Sequence, residues 1–281
     1  MRRDRRGSAL IVVLCVLALL GGITADLARA ARLEVALVEN TRARAVGRYA
    51  AESGVVMEAA DITALLISHS APGERVAAFR ELARRAAGAG DVDLGGATFA
   101  VTVADLNARI DLNQSEAETL TGLFRQFTSD REAEIIAASV QRKPLERVGE
   151  LVLLPGVSDA LALAVAPYVT VWGDPTININ SAPEPVLAAL PGVGEAAARA
   201  IVTRRAAGEV FTRATPEQPP PNASVTFAAA PPAAVVATEP DHLLIIARGW
   251  ATGSPLTHEI QAVFAISGMQ LLLEVWQERD L

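Results

Sequence analysis

Apolar and charged positions divide this chain unevenly, and the division is sharpest at its start. Arg2, Arg3, Arg5 and Arg6 precede Gly7, and no charge follows until Asp26, leaving 19 uncharged residues from Gly7 to Ala25. A helix rises about 1.5 Å per residue, so such a run crosses a hydrocarbon core of roughly 30 Å with little to spare. The arginines before it favour a cytoplasmic N-terminus, with the bulk of the chain on the other side. The helical pattern continues beyond Asp26 with neither Gly nor Pro until Gly47. Leu27, Ala31, Val35, Val38, Ala45 and Tyr49 form one stripe along this arginine-rich stretch. An uncleaved anchor fits this pattern better than a secretory signal, because no small-x-small site precedes a turn.

Farther along, GERVAAFRELARRAAGAG (73–90) reads as a surface helix that ends at the glycines 88–90. ATFAVTVADLNARIDLN (97–113) alternates as two short strands around a turn at Asp105 to Ala108. HLLIIARGWATGSPLTHEIQAVFAI (242–266) reads as a hairpin whose turn is marked by Gly253, Ser254 and Pro255. MQLLLEVWQERDL (269–281) is a last strand or a short helix. Strands on both sides of a helical middle predict an α+β fold, an antiparallel sheet carrying a large helical insertion.

The middle repeats itself. RIDLNQSEAETL (109–120) matches TININSAPEPVL (176–187) at Ile110/Ile177, Leu112/Ile179, Asn113/Asn180 and Leu120/Leu187. Leu-Pro-Gly-Val recurs at 154–157 and 190–193. Asn113 and Asn180 stand where they would cap the helices that follow. The second copy, LPGVGEAAARAIVTRR (190–205), has the form of a helix-hairpin-helix turn built on Pro191, Gly192 and Gly194. Such turns aim backbone N–H groups at phosphate beside a helix N-terminus. The first copy has Ser158 in place of the second glycine. TPEQPPPNASVTFAAAPPAAVVATEP (215–240) reads as an extended Pro-rich loop, an exposed insertion or a partner-docking arm.

Charge weakens the nucleic-acid reading. The chain carries a net −7, and its sequence pI is about 5.1, whereas a DNA-binding surface is basic. Around the hairpin, Arg199, Arg204, Arg205 and Arg213 face only Glu195 and Glu209, so the local balance stays positive. Cys15 is the single cysteine, which excludes an internal disulfide. His69, His242 and His258 lie far apart, with no metal-like spacing, and no nucleophile elbow, Walker loop or dinucleotide fingerprint is present. These absences predict a protein that is not an enzyme.

A basic leader ending in Gly7, an apolar run beginning at once and a long helix after it resemble a type IV prepilin. The resemblance implies a 1–7 leader cut between Gly7 and Ser8 by a prepilin peptidase, with the new amine of Ser8 methylated. It implies that the helix over 8–66, with Leu10, Val12, Leu14, Leu17 and Leu20, is a membrane anchor that later packs into a filament. Ordinary pilins and pseudopilins carry Glu as the fifth mature residue, and here that position is Val12. A buried carboxylate without a partner is costly, so a subunit at the filament end does better without one. With the doubled insertion, the chain resembles minor pseudopilin K of type II secretion systems.

That family implies a pilin-like α/β part over 67–113 and 241–281. It implies two SAM-like helical modules over 114–173 and 178–235, the second with the loop 215–240. The implied location is the bacterial inner membrane, single-pass, and the implied role is capping the pseudopilus tip and starting its assembly. Implied partners are the I, J and H pseudopilins and the inner-membrane secretion platform. Calcium is the one metal the family suggests, and Asp91, Asp93, Asp105 and Asp111 are the acids near the first strands. Solvated acids explain these residues better than a calcium site does. The rival readings are a membrane-anchored DNA receptor using the 190–213 hairpin and a minor pilin of a type IV pilus.

Overall fold

A computed structural model describes residues 5–69, 71–88, 90–212 and 236–281. Helix α1 (Arg5–Ser68) is continuous over 64 residues, and α2 (Pro72–Gly88) follows it. Strands β1 (Val92–Asp93) and β2 (Ala97–Asp105) open the sheet, and β7 (His242–Ala251), β8 (Thr257–Ser267) and β9 (Gln270–Asp280) complete it. All pairings are antiparallel, in the order β1-β2-β7-β8-β9. The hairpin turns where Gly253 adopts φ 79°, and the last segment is a strand.

Alternation along the strands assigns one face of the sheet to α1. Leu243, Ile245 and Ala247 of β7 and Ile260, Ala262 and Phe264 of β8 pack with Ala51, Val55, Ile62 and Leu66 of α1. Leu244, Ile246 and Val263, one residue out of step, form a smaller cluster with Leu106 and Trp172 on the opposite face. The contact with α1 is backbone-close. A Cβ built on Gly249 would sit 2.2 Å from the Gly47 carbonyl oxygen and 2.4 Å from the Ala51 nitrogen. Gly54 likewise leaves room for Phe99 of β2, whose ring would lie 2.9 Å from an added Cβ. The packing face is therefore Gly47, Ala50, Ala51, Gly54, Val55 and Ile62. The stripe expected from Leu27 to Tyr49 is exposed throughout, because the sheet lies beside only the C-terminal part of the helix.

The insertion between β2 and β7 holds two units built on one plan. In the first, β3 (Ile110–Asp111) pairs in parallel with β4 (Val169–Thr170); in the second, β5 (Ile177–Asn178) pairs in parallel with β6 (Val236–Ala237). Between these closures run α3 (Ala117–Phe124), α4 (Asp130–Arg142) and α5 (Asp159–Val165), then α6 (Glu184–Ala189) and α7 (Gly194–Ala206). The expected two-strand turn at Asp105 to Ala108 is thus corrected. After Asp105 the chain leaves the sheet through a 3-10 turn at Leu106–Ala108, and β3 pairs inside the insertion. Residues 215–235 of the Pro-rich segment lie outside the described residues, as does Arg213; Val236 and Ala237 form a strand rather than loop.

Asn113 and Asn180 do not cap helices, since Glu116 and Pro183 occupy the N-cap positions of α3 and α6. Each asparagine instead locks its unit shut. Asn113 donates to the carbonyls of Leu145 (3.0 Å) and Val171 (3.3 Å) and accepts from the Leu145 N–H (2.8 Å). Asn180 donates to the carbonyls of Phe211 (2.7 Å) and Thr238 (2.8 Å) and accepts from the Phe211 N–H (3.0 Å). An amide carries both donor and acceptor, so one side chain joins three chain segments. The units share one apolar core, and Gly122 of α3 lies so close to α6 that a Cβ there would fall 2.6 Å from the Ala189 oxygen.

Candidate functional site

Two regions carry the functional expectations, the free part of α1 and the hairpin of the second unit. From Leu10 to Arg42 every described position of α1 is exposed. Leu10 is 63% exposed, Val12 61%, Leu14 57%, Leu17 59% and Leu20 54%. The apolar window within this helix has a mean hydropathy of 2.5 with none of it buried, so among the described residues one helix is long and apolar enough to cross a membrane. Its hydroxyl is satisfied from within, Thr24 donating to the Leu20 carbonyl at 2.9 Å, which removes an unpaired polar group from an apolar surround. Gly7 and Ser8 lie in the first turns of α1, and their side-chain surroundings fall outside the described residues. Beyond the apolar run, Leu27, Leu33, Leu37 and Val38 remain exposed among arginines, so no part of the described chain covers them.

In the second unit, Pro191 and Gly192 form the turn between α6 and α7, with φ 81° at Gly192 and 70° at Gly194. Both values lie in the left-handed region that glycine enters without penalty. In the first unit Gly156 makes the same turn at φ 84°, but Ser158 caps α5, accepting from the Leu161 N–H at 3.2 Å. The described arginines of the hairpin are committed to the fold. Arg199 pairs with Glu184 at 3.2 Å. Arg204 pairs with Glu209 and lies 5.0 Å above the Phe211 ring. Arg205 donates to the carbonyls of Ile179 (3.0 Å) and Ala182 (2.7 Å), and burial lowers its pKa. A phosphate would have to displace these contacts, so the DNA-receptor reading gains nothing from the geometry.

The four acids considered for calcium do not share a site. Asp93 accepts from the Gly95 N–H at 2.8 Å. Asp111 accepts from the N–H groups of Asn113 (2.7 Å) and Gln114 (2.9 Å), as turn acids do. Among the described residues no group of three or more His, Cys, Asp or Glu side chains is arranged to hold a metal ion. This acid set therefore does not fit calcium, which needs several converging oxygens.

Sequence reasoning missed the junction where the insertion leaves and re-enters the sheet. Asn107, buried, donates to Asp174 (2.9 Å) and to the Thr176 carbonyl (3.0 Å), and accepts from the N–H groups of Asp241 and His242 at 2.8 Å each. It thereby ties the exit from β2, the link between the units and the entry to β7. Beside it, Asp105 accepts from the Asn107 N–H and the Asn178 amide, both at 2.8 Å, and from the Ser181 hydroxyl. Burial pushes the Asp105 carboxyl up to about 6 despite those donors. His242 faces Asp174 and Glu274, each at 3.4 Å, and the Asp174 carboxylate raises its pKa. Asp105-x-Asn107 is a visible turn signal, but its partners lie far away in sequence.

Comparison with known proteins bears on the second unit. Residues 177–236 match the family model of type II secretion system protein K. The protein K match begins at Ile177 and ends at Val236, which are the paired residues of β5 and β6. It therefore coincides with one closed unit of the insertion. The chain also resembles a chain in the crystal structure of the GspK-GspI-GspJ complex from the enterotoxigenic Escherichia coli type 2 secretion system. That likeness has 16% identity and a TM-score of 0.48, covering 68% of this chain and 82% of that one. No curated protein sequence matches the chain.

Proposed function

We propose that this protein is a minor pseudopilin of the protein K type in a type II secretion system. The observation that carries the reading is the protein K match over a whole closed unit, in a chain whose N-terminal helix is apolar and uncovered. In this reading α1 spans the bacterial inner membrane once, with the leader arginines in the cytoplasm. A prepilin peptidase cuts between Gly7 and Ser8, and the new amine of Ser8 is methylated. Leu10, Val12, Leu14, Leu17 and Leu20 then exchange lipid for the helices of other minor pseudopilins, the I, J and H subunits. The protein acts by assembly rather than catalysis, and the secretion platform of the inner membrane receives it.

Two features of the chain support a position at the tip. Val12 leaves no carboxylate to neutralise the terminal amine of a neighbour. The helical insertion adds bulk that a further subunit stacked above would have to avoid. From the tip the protein starts pseudopilus assembly for export of folded proteins across the outer membrane.

Mass spectrometry of the membrane-extracted protein tests the reading. The expected N-terminus is N-methylated Ser8, and Gly7→Leu is expected to leave the full-length form and stop secretion. An unprocessed N-terminus at Met1, or secretion unchanged in Gly7→Leu, overturns it.

A further inference from the structure

The side of α1 turned away from the sheet carries a long row of uncovered apolar positions. Leu27, Val38, Tyr49 and Ala60 recur every eleven residues, and Ala45, Val56 and Ile67 recur at the same interval between and beyond them. Eleven residues make about three turns of a straight α-helix with a drift of only about 20°, so each set stays on one face. All of these positions are exposed, even where the sheet covers the opposite side: Tyr49 is 65% exposed and Ile67 64%. The packing face, with Gly47, Ala51, Gly54, Val55 and Ile62, lies across the helix from them. The row runs for about 60 Å, a length that suits another helix laid alongside rather than a compact patch. Ala45 and Ala60 alternate with the bulkier residues, so a second helix can approach closely between them.

One charge interrupts this face. Arg42 stands eleven residues after Ala31 and eleven before Ser53, beside Val38, Ala45 and Tyr49. It is exposed, and the ion pairs of α1 among the described residues are those of Arg44 with Asp280 (3.7 Å) and Arg48 with Glu278 (2.8 Å). Both of those reach β9, away from the row. Glu39, one turn before Arg42, forms no pair with it among the described residues. Closing a helix over this face would bury the guanidinium, and a facing carboxylate is what offsets that cost and fixes the register. A second copy of the chain does not supply one. In register it sets Arg42 against Arg42, and shifted by eleven residues it sets Arg42 against Ala31 or Ser53.

We propose that this row takes a parallel helix of a different membrane-anchored chain, and that a carboxylate on that helix faces Arg42 and sets its register. Parallel orientation follows when both chains enter the bilayer by their N-terminal helices. The inference rests on α1 spanning the membrane, as in the pseudopilin reading. To that reading it adds the face, the residue that selects the partner and the charge the partner must carry. It needs neither Gly7 processing nor the tip position.

The test uses the full-length protein in lipid vesicles, with energy transfer between donor and acceptor labels on the C-termini. The probe is a full-length Arg42→Glu variant, which offers a carboxylate at the matching place on an otherwise identical helix. Resistance to alkaline extraction first shows that both proteins are inserted; extraction of either would overturn the inference together with the anchoring it rests on. Once inserted, the mixed pair is expected to associate roughly tenfold more tightly than either protein does with itself. Arg32→Glu is the control, because Arg32 is exposed but off the row, and its mixture is expected to gain nothing. Val56→Asn in both members of the mixed pair removes apolar contact from the row without entering the core. It is expected to weaken the pair with the melting temperature unchanged. A mixed pair no tighter than the unmixed ones, an equal gain from Arg32→Glu, or pairing that survives Val56→Asn overturns the proposal and leaves the membrane anchoring intact.

Discussion

From Leu10 to Arg42, α1 touches nothing else in the described chain, whereas from Gly47 onward it lies on β7, β2 and β8 with glycine against glycine. The exposed part is the more apolar of the two, yet it buries none of its surface in the protein. The packed part relies on Gly47, Ala50, Ala51 and Gly54, residues too small to contribute much apolar area themselves. Their value is shape, since they let Phe99, Ile245 and Ile260 reach the helix. The difference teaches that apolar content marks a solvent and small residues mark an intramolecular partner. A helix can serve both along one axis.

The largest expected effect attacks the close approach. Gly249→Val puts branched carbons where the Gly47 oxygen and Ala51 nitrogen stand, and it should cost about 3 kcal/mol or more. Thermal unfolding followed by circular dichroism reads this, and an unchanged midpoint would mean that the helix and β7 are farther apart.

A smaller effect lies where the two parts of α1 meet. Arg48 donates to Glu278 at 2.8 Å, and with the Trp276 indole N–H it holds the Glu278 carboxyl down to about 2. A depressed acid contributes stability that is present above its ordinary pKa and lost as pH falls from about 4.5 through about 2. Arg48→Ala should therefore make the decline in melting temperature over that acid interval shallower. An identical pH profile in the variant would remove Arg48 from the account.

The smallest effect on folding belongs to the free part. Leu14→Ala combined with Leu17→Ala should shift the unfolding free energy by no more than about 0.5 kcal/mol, because these leucines touch no core residue. The same pair should weaken association with vesicles in a flotation assay, each lost methylene mattering by about 0.8 kcal/mol in lipid. A clear loss of thermal stability in the double variant would erase the distinction between the two parts of the helix.

Much of this was legible because it is local. The charge-free run, the hairpin at Gly253 and the alternation of β7 and β8 are written within short windows. The repeat was visible as well, since Ile110/Ile177 and Asn113/Asn180 recur in register. What those asparagines do was not visible, because a helix cap and a lock require the same residue type. Their true partners, Val171 and Thr238, lie at the far ends of the units. Gly249 carries no sequence signal of its own, since only the fold sets it against Gly47. The Leu27–Tyr49 stripe misled for the opposite reason: periodicity shows that a face is apolar, not which molecule covers it.

The pairing of Asp105 with Leu243 has a further consequence. The chain departs from the sheet and returns to it at neighbouring points, and each unit likewise begins and ends on its own paired strands. The insertion thus behaves as a cassette with both leads on one connector, clipped in place by Asn107. Growth or shrinkage within a cassette leaves the register of β2 on β7 untouched. A surface carried this way is free to change size and shape while the scaffold beneath it keeps a fixed geometry.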